Sequence, residues 1–155
     1  MGNTENVEIE KKYLIGECPD LSKYSFHKIE QAYLNTNPVV RVRRQDDDYY
    51  MTYKGKGFEV REEYNLPLNK EAYIHLKEKA DGNVISKTRY LIPDEDGRHT
   101  IELDVFDAPF APLILAEVEF SSEEDAASYQ PPAWFVKEVT NDRTYANSTM
   151  SQKKF

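Results

Sequence analysis

The feature that most constrains this chain is a repeated one: short stretches that alternate between an apolar face and a face carrying charges of both signs. Val7–Ile15 reads Val-Glu-Ile-Glu-Lys-Lys-Tyr-Leu-Ile. At period two, Val7, Ile9, Lys11, Tyr13 and Ile15 share one face, and Glu8, Glu10, Lys12 and Leu14 share the other. Successive side chains of a strand point to opposite faces, so the pattern predicts a strand. Taken alone, it would be an ordinary half-buried strand with its charges in water.

The pattern recurs along the chain. Val39–Gln45 brings Arg41 and Arg43 together, Tyr49–Lys54 brings Thr52 and Lys54, and Phe58–Leu66 brings Glu59, Arg61 and Glu63. Asn83–Ile92 pairs Lys87 with Arg89, Thr100–Phe106 pairs Glu102 with Asp104, and Leu113–Phe120 pairs Glu117 with Glu119. A further stretch, Phe26–Leu34, puts Ile29, Gln31 and Tyr33 on one face. Strands in hairpin succession can close into a barrel, which removes exposed edges. The expected fold is therefore α+β: an eight-stranded antiparallel β-barrel with a charged interior and a few flanking helices. Pro67 is expected to close the fifth strand. Helices are expected over Asn69–Ala80 with Asn69 as N-cap, over Ser121–Tyr129 behind Ser121 or Ser122, and over Asp142–Met150 behind Thr140 or Asn141. Asp81-Gly82-Asn83 reads as the end of the first helix, and Trp134 and Phe135 as packing anchors.

Composition narrows the function classes. The 155 residues fit one domain spanning 1–155, with residues 1–6 a short polar tail. A net charge of -8 argues against a general nucleic-acid or anionic-membrane surface. One cysteine, Cys18, excludes an internal disulfide and a multi-cysteine metal site. No apolar run approaches the roughly 20 residues of a membrane span, and the first residues carry no basic and apolar leader. The expectation is a soluble cytoplasmic protein with no nucleic-acid or membrane partner, and a homodimer is left open. The run Asp46-Asp47-Asp48 is turn chemistry, and Gly55-Lys56-Gly57 lacks the frame of a phosphate loop. His27, His75 and His99 have no mutual spacing that suggests a site.

The charged face defines the chemistry. Its acids are Glu8, Glu10, Glu59, Glu63, Glu102, Asp104, Glu117 and Glu119, and its bases are Lys12, Arg41, Arg43, Lys54, Arg61, Lys87 and Arg89. Lys and Arg grip phosphate oxygens, Arg in a bidentate fork. Clustered carboxylates without Cys make a hard oxygen site suited to Mg2+ or Mn2+. Together they suggest a polyanion chelated to divalent cations, of which a di- or triphosphate is the natural case.

These residues carry a resemblance. Glu8-Ile9-Glu10-Lys11-Lys12 resembles the Glu-x-Glu-x-Lys signature of the CYTH superfamily, the triphosphate tunnel metalloenzymes. Arg41-Val42-Arg43, Thr52-Tyr53-Lys54-Gly55, Lys87-Thr88-Arg89-Tyr90, Glu102-Leu103-Asp104 and Glu117-Val118-Glu119 follow in family order, so the likeness covers nearly the whole chain. It implies a tunnel that binds a triphosphate and hydrolyses it, tripolyphosphate giving pyrophosphate and phosphate. By position it implies that Glu8, Glu10 and Glu119, with Asp104 and Glu117 nearby, hold Mg2+ or Mn2+. It likewise implies phosphate contacts for Lys12, Arg41, Arg43, Lys54, Lys87 and Arg89, with Arg61 among the inward bases and Arg143 reaching a tunnel mouth. Glu63 or Glu102 would assist the attacking water, and Tyr33 and Lys87 are further candidates for a catalytic role. One departure stands out: many relatives carry Glu-x-Glu in strand five, where this chain has Glu63-Tyr64-Asn65. Three other activities share this inventory: a class IV-type adenylyl cyclase, a thiamine or nucleoside triphosphatase, and a non-catalytic polyphosphate-binding module.

Overall fold

The computed structural model describes residues 6–155, so most of the expected polar tail lies outside the described residues. The strands are β1 (Val7–Ile15), β2 (Phe26–Thr36), β3 (Val39–Gln45), β4 (Asp48–Lys54), β5 (Val60–Leu68), β6 (Asp81–Pro93), β7 (Thr100–Phe106), β8 (Ile114–Glu119) and β9 (Phe135–Glu138). The helices are α1 (Lys70–Lys77), α2 (Glu123–Ser128) and α3 (Asn147–Ser151). Hydrogen-bonded neighbours run β5-β4-β3-β2-β6-β7-β8-β1, and β1 returns to pair with β5. All these pairings are antiparallel, so eight strands close into a barrel, as the alternation predicts.

The ninth strand was not expected. One edge of β1 is shared: Val7–Ile9 pair with β5, while Tyr13–Ile15 pair with β9. β9 thus takes over the edge that β5 vacates, which satisfies backbone groups that would otherwise be bare. Four residues are too few for alternation to show. The same staggering explains Pro67, which sits inside β5 instead of closing it. Residues 63–68 of β5 have β4 beside them and lie beyond the reach of β1, so a missing N–H can be tolerated there.

Other boundaries shift for local reasons. Asn69 caps α1 as expected, its side chain accepting from the Ala72 N–H, but the helix stops at Lys77. Asp81 and Gly82 belong to β6, at a register shift against β2. Gly82 has φ +74 there, and a Cβ would lie 2.1 Å from the Ser151 carbonyl oxygen, so only glycine lets α3 dock. Ser122, not Ser121, caps α2. The expected final helix breaks in two: a 3-10 turn over Arg143–Tyr145, capped by Asp142, and α3. Ala146 between them is extended (φ -74, ψ 132).

The outer face of the barrel is covered in part, with Tyr53, Tyr64 and Leu66 of β4 and β5 left exposed. α2 and the segment leading into β9 bury Tyr13, Leu103, Val118 and Phe135, with Trp134 packed against them. α1 lays Tyr73 onto Ala32 and Val42. The inner face changes character along its length. Leu14, Ile85, Phe106 and Leu115 continue the inward alternation of Lys12, Lys87, Asp104 and Glu117, yet they are apolar and cluster with Tyr33, Val39, Val139 and Met150. One end of the lumen is therefore filled by an ordinary hydrophobic core, and the charged zone begins above it.

His99 is held between two carboxylates. Its Nε2 lies 3.0 Å from both carboxylate oxygens of Asp125 on α2, and its Nδ1 pairs with Asp96 in the turn after β6. The ring packs edge-on against Phe120 and Tyr129. Burial opposes the charged form, but the two carboxylates win and raise the pKa above 6.5. A raised folded-state pKa stabilises the fold fully below the unfolded value, and the gain is lost as pH rises through the folded value. His99→Gln should therefore lose on the order of 1 kcal/mol at about pH 6 and progressively less at alkaline pH. Thermal melts of both proteins across pH check this; a difference that grows with pH would contradict it.

Candidate active site

The barrel encloses a cavity of about 250 Å3. Its walls include Glu8, Glu10, Lys12, Tyr33, Arg41, Arg43, Lys54, Arg61, Glu63, Arg89, Glu102, Glu117 and Glu119, drawn from strands far apart in sequence. Three of the expected site residues are not in its wall. Lys87 and Asp104 lie behind it, fully buried against each other at 2.7 Å. Arg143 is exposed and lines an outer groove that adjoins the cavity at Val139, Thr140 and Asp142. The C-terminal segment instead contributes Thr140, Asn147 and Ser148 to the cavity.

The charges sort into three groups. The first is a carboxylate trio. Glu8 and Glu10 on β1 face Glu119, which is opposite Glu10 in the β1–β8 register. Each offers an oxygen within 4.8 Å of the others. Burial and then the charges of Glu117 and Glu8 push Glu10 well above the ordinary carboxylate range, and burial with Glu102, Glu8 and Glu63 lifts Glu119 to about 7. Glu8 differs: burial opposes its ionisation, but the Lys54 ammonium 2.9 Å away holds it down to about 2. Three carboxylates crowded around a single close ammonium, all oxygen donors, fit a hard divalent cation.

The second group is a locked ion network on β6, β7 and β8. Arg89 grips Asp104 through Nε (2.8 Å) and Nη2 (2.9 Å), donates from Nη2 to Glu117 (2.8 Å) and from Nη1 to Glu102 (3.2 Å). Burial disfavours both charges, yet Arg89 holds Asp104 and Glu117 ionised. Burial pulls Lys87 down to about 8 in spite of Asp104. Asp104 thus spends its oxygens on Arg89 and Lys87 and stands apart from the carboxylate trio. Arg89 and Lys87, read as phosphate ligands, are committed to carboxylates.

The third group faces it from β3. Arg41 and Arg43 are buried guanidiniums that make no ion pair among the described residues. Arg41 Nη1 donates weakly to the Tyr33 hydroxyl (3.5 Å), and its Nε has no partner. Lys12 Nζ donates to the Tyr145 carbonyl (3.0 Å) and sits 3.5 Å from Glu117. Arg61 donates to the Gly55 carbonyl. A buried cation without a counter-charge is costly unless something anionic arrives.

Asn65, the departure in strand five, has a local role. Its Oδ1 accepts from the Thr52 hydroxyl (2.6 Å), and its Nδ2 donates to Glu63 Oε1 (3.1 Å), while Glu63 Oε2 meets Lys54 at 3.3 Å. A carboxylate there would repel Glu63; the amide holds it.

The CYTH domain profile matches residues 6–152. The chain belongs to the CYTH family. It is 37% identical to an inorganic triphosphatase of Nitrosomonas europaea over 148 residues, covering 94% of this chain and 97% of that protein. It is 31% identical to an inorganic triphosphatase of Acetivibrio thermocellus over 153 residues, covering 96% and 95%. A crystal structure of the inorganic triphosphatase NE1496 superposes with a TM-score of 0.71 at 35% identity, covering 95% of each chain. The closed barrel is therefore the fold this CYTH chain shares with the NE1496 structure. Sequence reasoning placed Gln31 on the Ile29 and Tyr33 face but gave it no role in the site; it is buried behind Arg43. Its position beside Tyr33 on β2 was visible in the alternation, but it carries no charge to draw attention.

Proposed function

We infer that this chain is a divalent-metal-dependent inorganic triphosphatase that cleaves tripolyphosphate to pyrophosphate and phosphate. The observation that carries the reading is one cavity of about 250 Å3 holding a carboxylate trio with only Glu8 ion-paired and two buried guanidiniums without a carboxylate partner. A linear polyanion with bound Mg2+ or Mn2+ satisfies both at once, and the curated relatives named above support tripolyphosphate as that polyanion.

Glu8, Glu10 and Glu119 would hold the cation, which when bound supplies charge neutralisation and orientation of the phosphate chain. Arg41 and Arg43 bind the phosphate oxygens from one wall, and Lys12 and Lys54, each paired with a carboxylate in this structure, line the cavity beside them. Phosphoryl transfer needs mostly positioning and charge stabilisation, and this set provides both. Of the two acids proposed to assist water, Glu102 is the better placed. Its Oε2 is fixed by Arg89, and its Oε1 is buried beside the cavity with no hydrogen-bond partner of its own. Glu63 is occupied on both oxygens by Asn65 and Lys54. Tyr33 supplies a hydroxyl beside Arg41.

Product analysis tests the reading. Purified protein is incubated with tripolyphosphate, and separately with ATP, each with Mg2+ or Mn2+. Phosphate and pyrophosphate from tripolyphosphate, at a rate at least about a hundredfold above that with ATP, is the expected result. Cyclic AMP from ATP would move the chain to the cyclase activity, and tight binding without turnover would make it a binding module.

A further inference from the structure

Gln31 is fully buried in β2, directly across from Arg43 in the β2–β3 register. Its Oε1 accepts from two sites on one edge of the Arg43 guanidinium, Nε at 3.0 Å and Nη2 at 2.7 Å. Arg43 lines the cavity; Gln31 stands outside its wall, behind the arginine. We infer that Gln31 is a positioning residue, a neutral clamp that aims Arg43 into the tunnel without cancelling its charge. The inference rests on the triphosphatase reading of the tunnel.

The comparison with Arg89 on β6, one strand beyond Gln31's own, carries the argument. Both arginines are buried, and both are gripped along the Nε–Nη2 edge. Arg89 is gripped by a carboxylate, with two more carboxylates within 3.2 Å, so its charge is spent inside the protein. Arg43 is gripped by an amide oxygen, and its remaining contact is a weak one, Nη1 to the Tyr50 hydroxyl at 3.5 Å. A guanidinium fixed at one edge keeps its other donors in a set plane, which lowers the ordering entropy of a bidentate phosphate contact. A carboxylate in place of Gln31 would bind Arg43 about twice as strongly, but it would offer the substrate a neutralised pair. The amide is the acceptor that gives orientation alone. Gln31 Nε2, buried with no partner, shows that this side chain is held for what its oxygen does.

A merely structural role and a clamping role make opposite forecasts for Gln31→Glu. If Gln31 only packs and satisfies Arg43, Glu is an equal or better partner. If it is a neutral clamp, Glu should raise the melting temperature of the ligand-free protein and weaken tripolyphosphate binding. The experiment measures wild type, Gln31→Glu and Gln31→Met by calorimetric titration with tripolyphosphate under chelator, by thermal melts, and by steady-state kinetics with Mg2+. The expected results for Gln31→Glu are a higher melting point, affinity about tenfold weaker, and KM raised in proportion with kcat within about twofold. Gln31→Met, which frees Arg43 without quenching it, should weaken binding several-fold and leave the melting point the same or lower. Tripolyphosphate bound by Gln31→Glu as tightly as by wild type overturns the clamp alone. Failure of wild type to bind or hydrolyse tripolyphosphate overturns the triphosphatase reading and the clamp with it.

Discussion

Glu10→Gln should abolish turnover of tripolyphosphate, lowering kcat by at least about a thousandfold, the equivalent of roughly 4 kcal/mol of lost transition-state stabilisation. Glu10 stands in the carboxylate trio with Glu8 and Glu119, and the amide that replaces it is a poorer ligand for a hard cation. A second effect has the opposite sign. Burial and the neighbouring charges of Glu117 and Glu8 make ionised Glu10 unfavourable in the metal-free fold. A carboxyl whose folded pKa lies above its unfolded value destabilises the fold once pH exceeds the unfolded value, because the unfolded chain ionises more easily. Removing the charge should therefore raise the melting temperature in chelator near neutral pH. The same substitution should erase the rise in melting temperature that Mg2+ or Mn2+ gives wild type. Melts with and without cation, beside the kinetic assay, check both halves. An active variant, or one less stable than wild type in chelator, would argue that Glu10 is a structural acid and that the cation is held elsewhere.

That trade-off marks what alternation could and could not reveal. Period two placed Glu8, Glu10 and Lys12 on one face because a strand leaves no other choice, and the same logic placed Arg41 with Arg43 and Glu117 with Glu119. Which charge meets which depends on cross-strand register and barrel tilt, and neither is written in any single stretch. Hence Asp104 and Lys87, read as site residues, turn out to be buried against each other, and Arg89 turns out to be fully occupied. The apolar end of the lumen was present in the same alternation, with Leu14 following Glu8, Glu10 and Lys12. It becomes meaningful only once Leu115, Phe106 and Ile85 are seen to converge on it. β9 and the broken C-terminal helix had too few residues to show a period.

The locked network makes the largest stability forecast. Arg89→Met should destabilise the protein by about 3–5 kcal/mol. Arg89 makes four hydrogen bonds to three acids, and its removal leaves Asp104 and Glu117 buried with Lys87 and Lys12 as their remaining cations. Two ionised groups in a low-dielectric wall cannot recover that loss from Met packing, since the arginine is charged and hydrogen-bonded while methionine is neither. Arg41→Met on β3 should do the reverse. Arg41 has no carboxylate partner and an orphaned Nε, so its loss should leave denaturant stability unchanged or improved while tripolyphosphate affinity falls about tenfold or more. Chemical denaturation and ligand titration on the two variants separate the walls. If Arg89→Met were as stable as wild type, the network would be a set of weak surface-like pairs. If Arg41→Met were the unstable one, the free guanidinium would be part of the framework, and the division of the lumen into a scaffold wall and a substrate wall would fail.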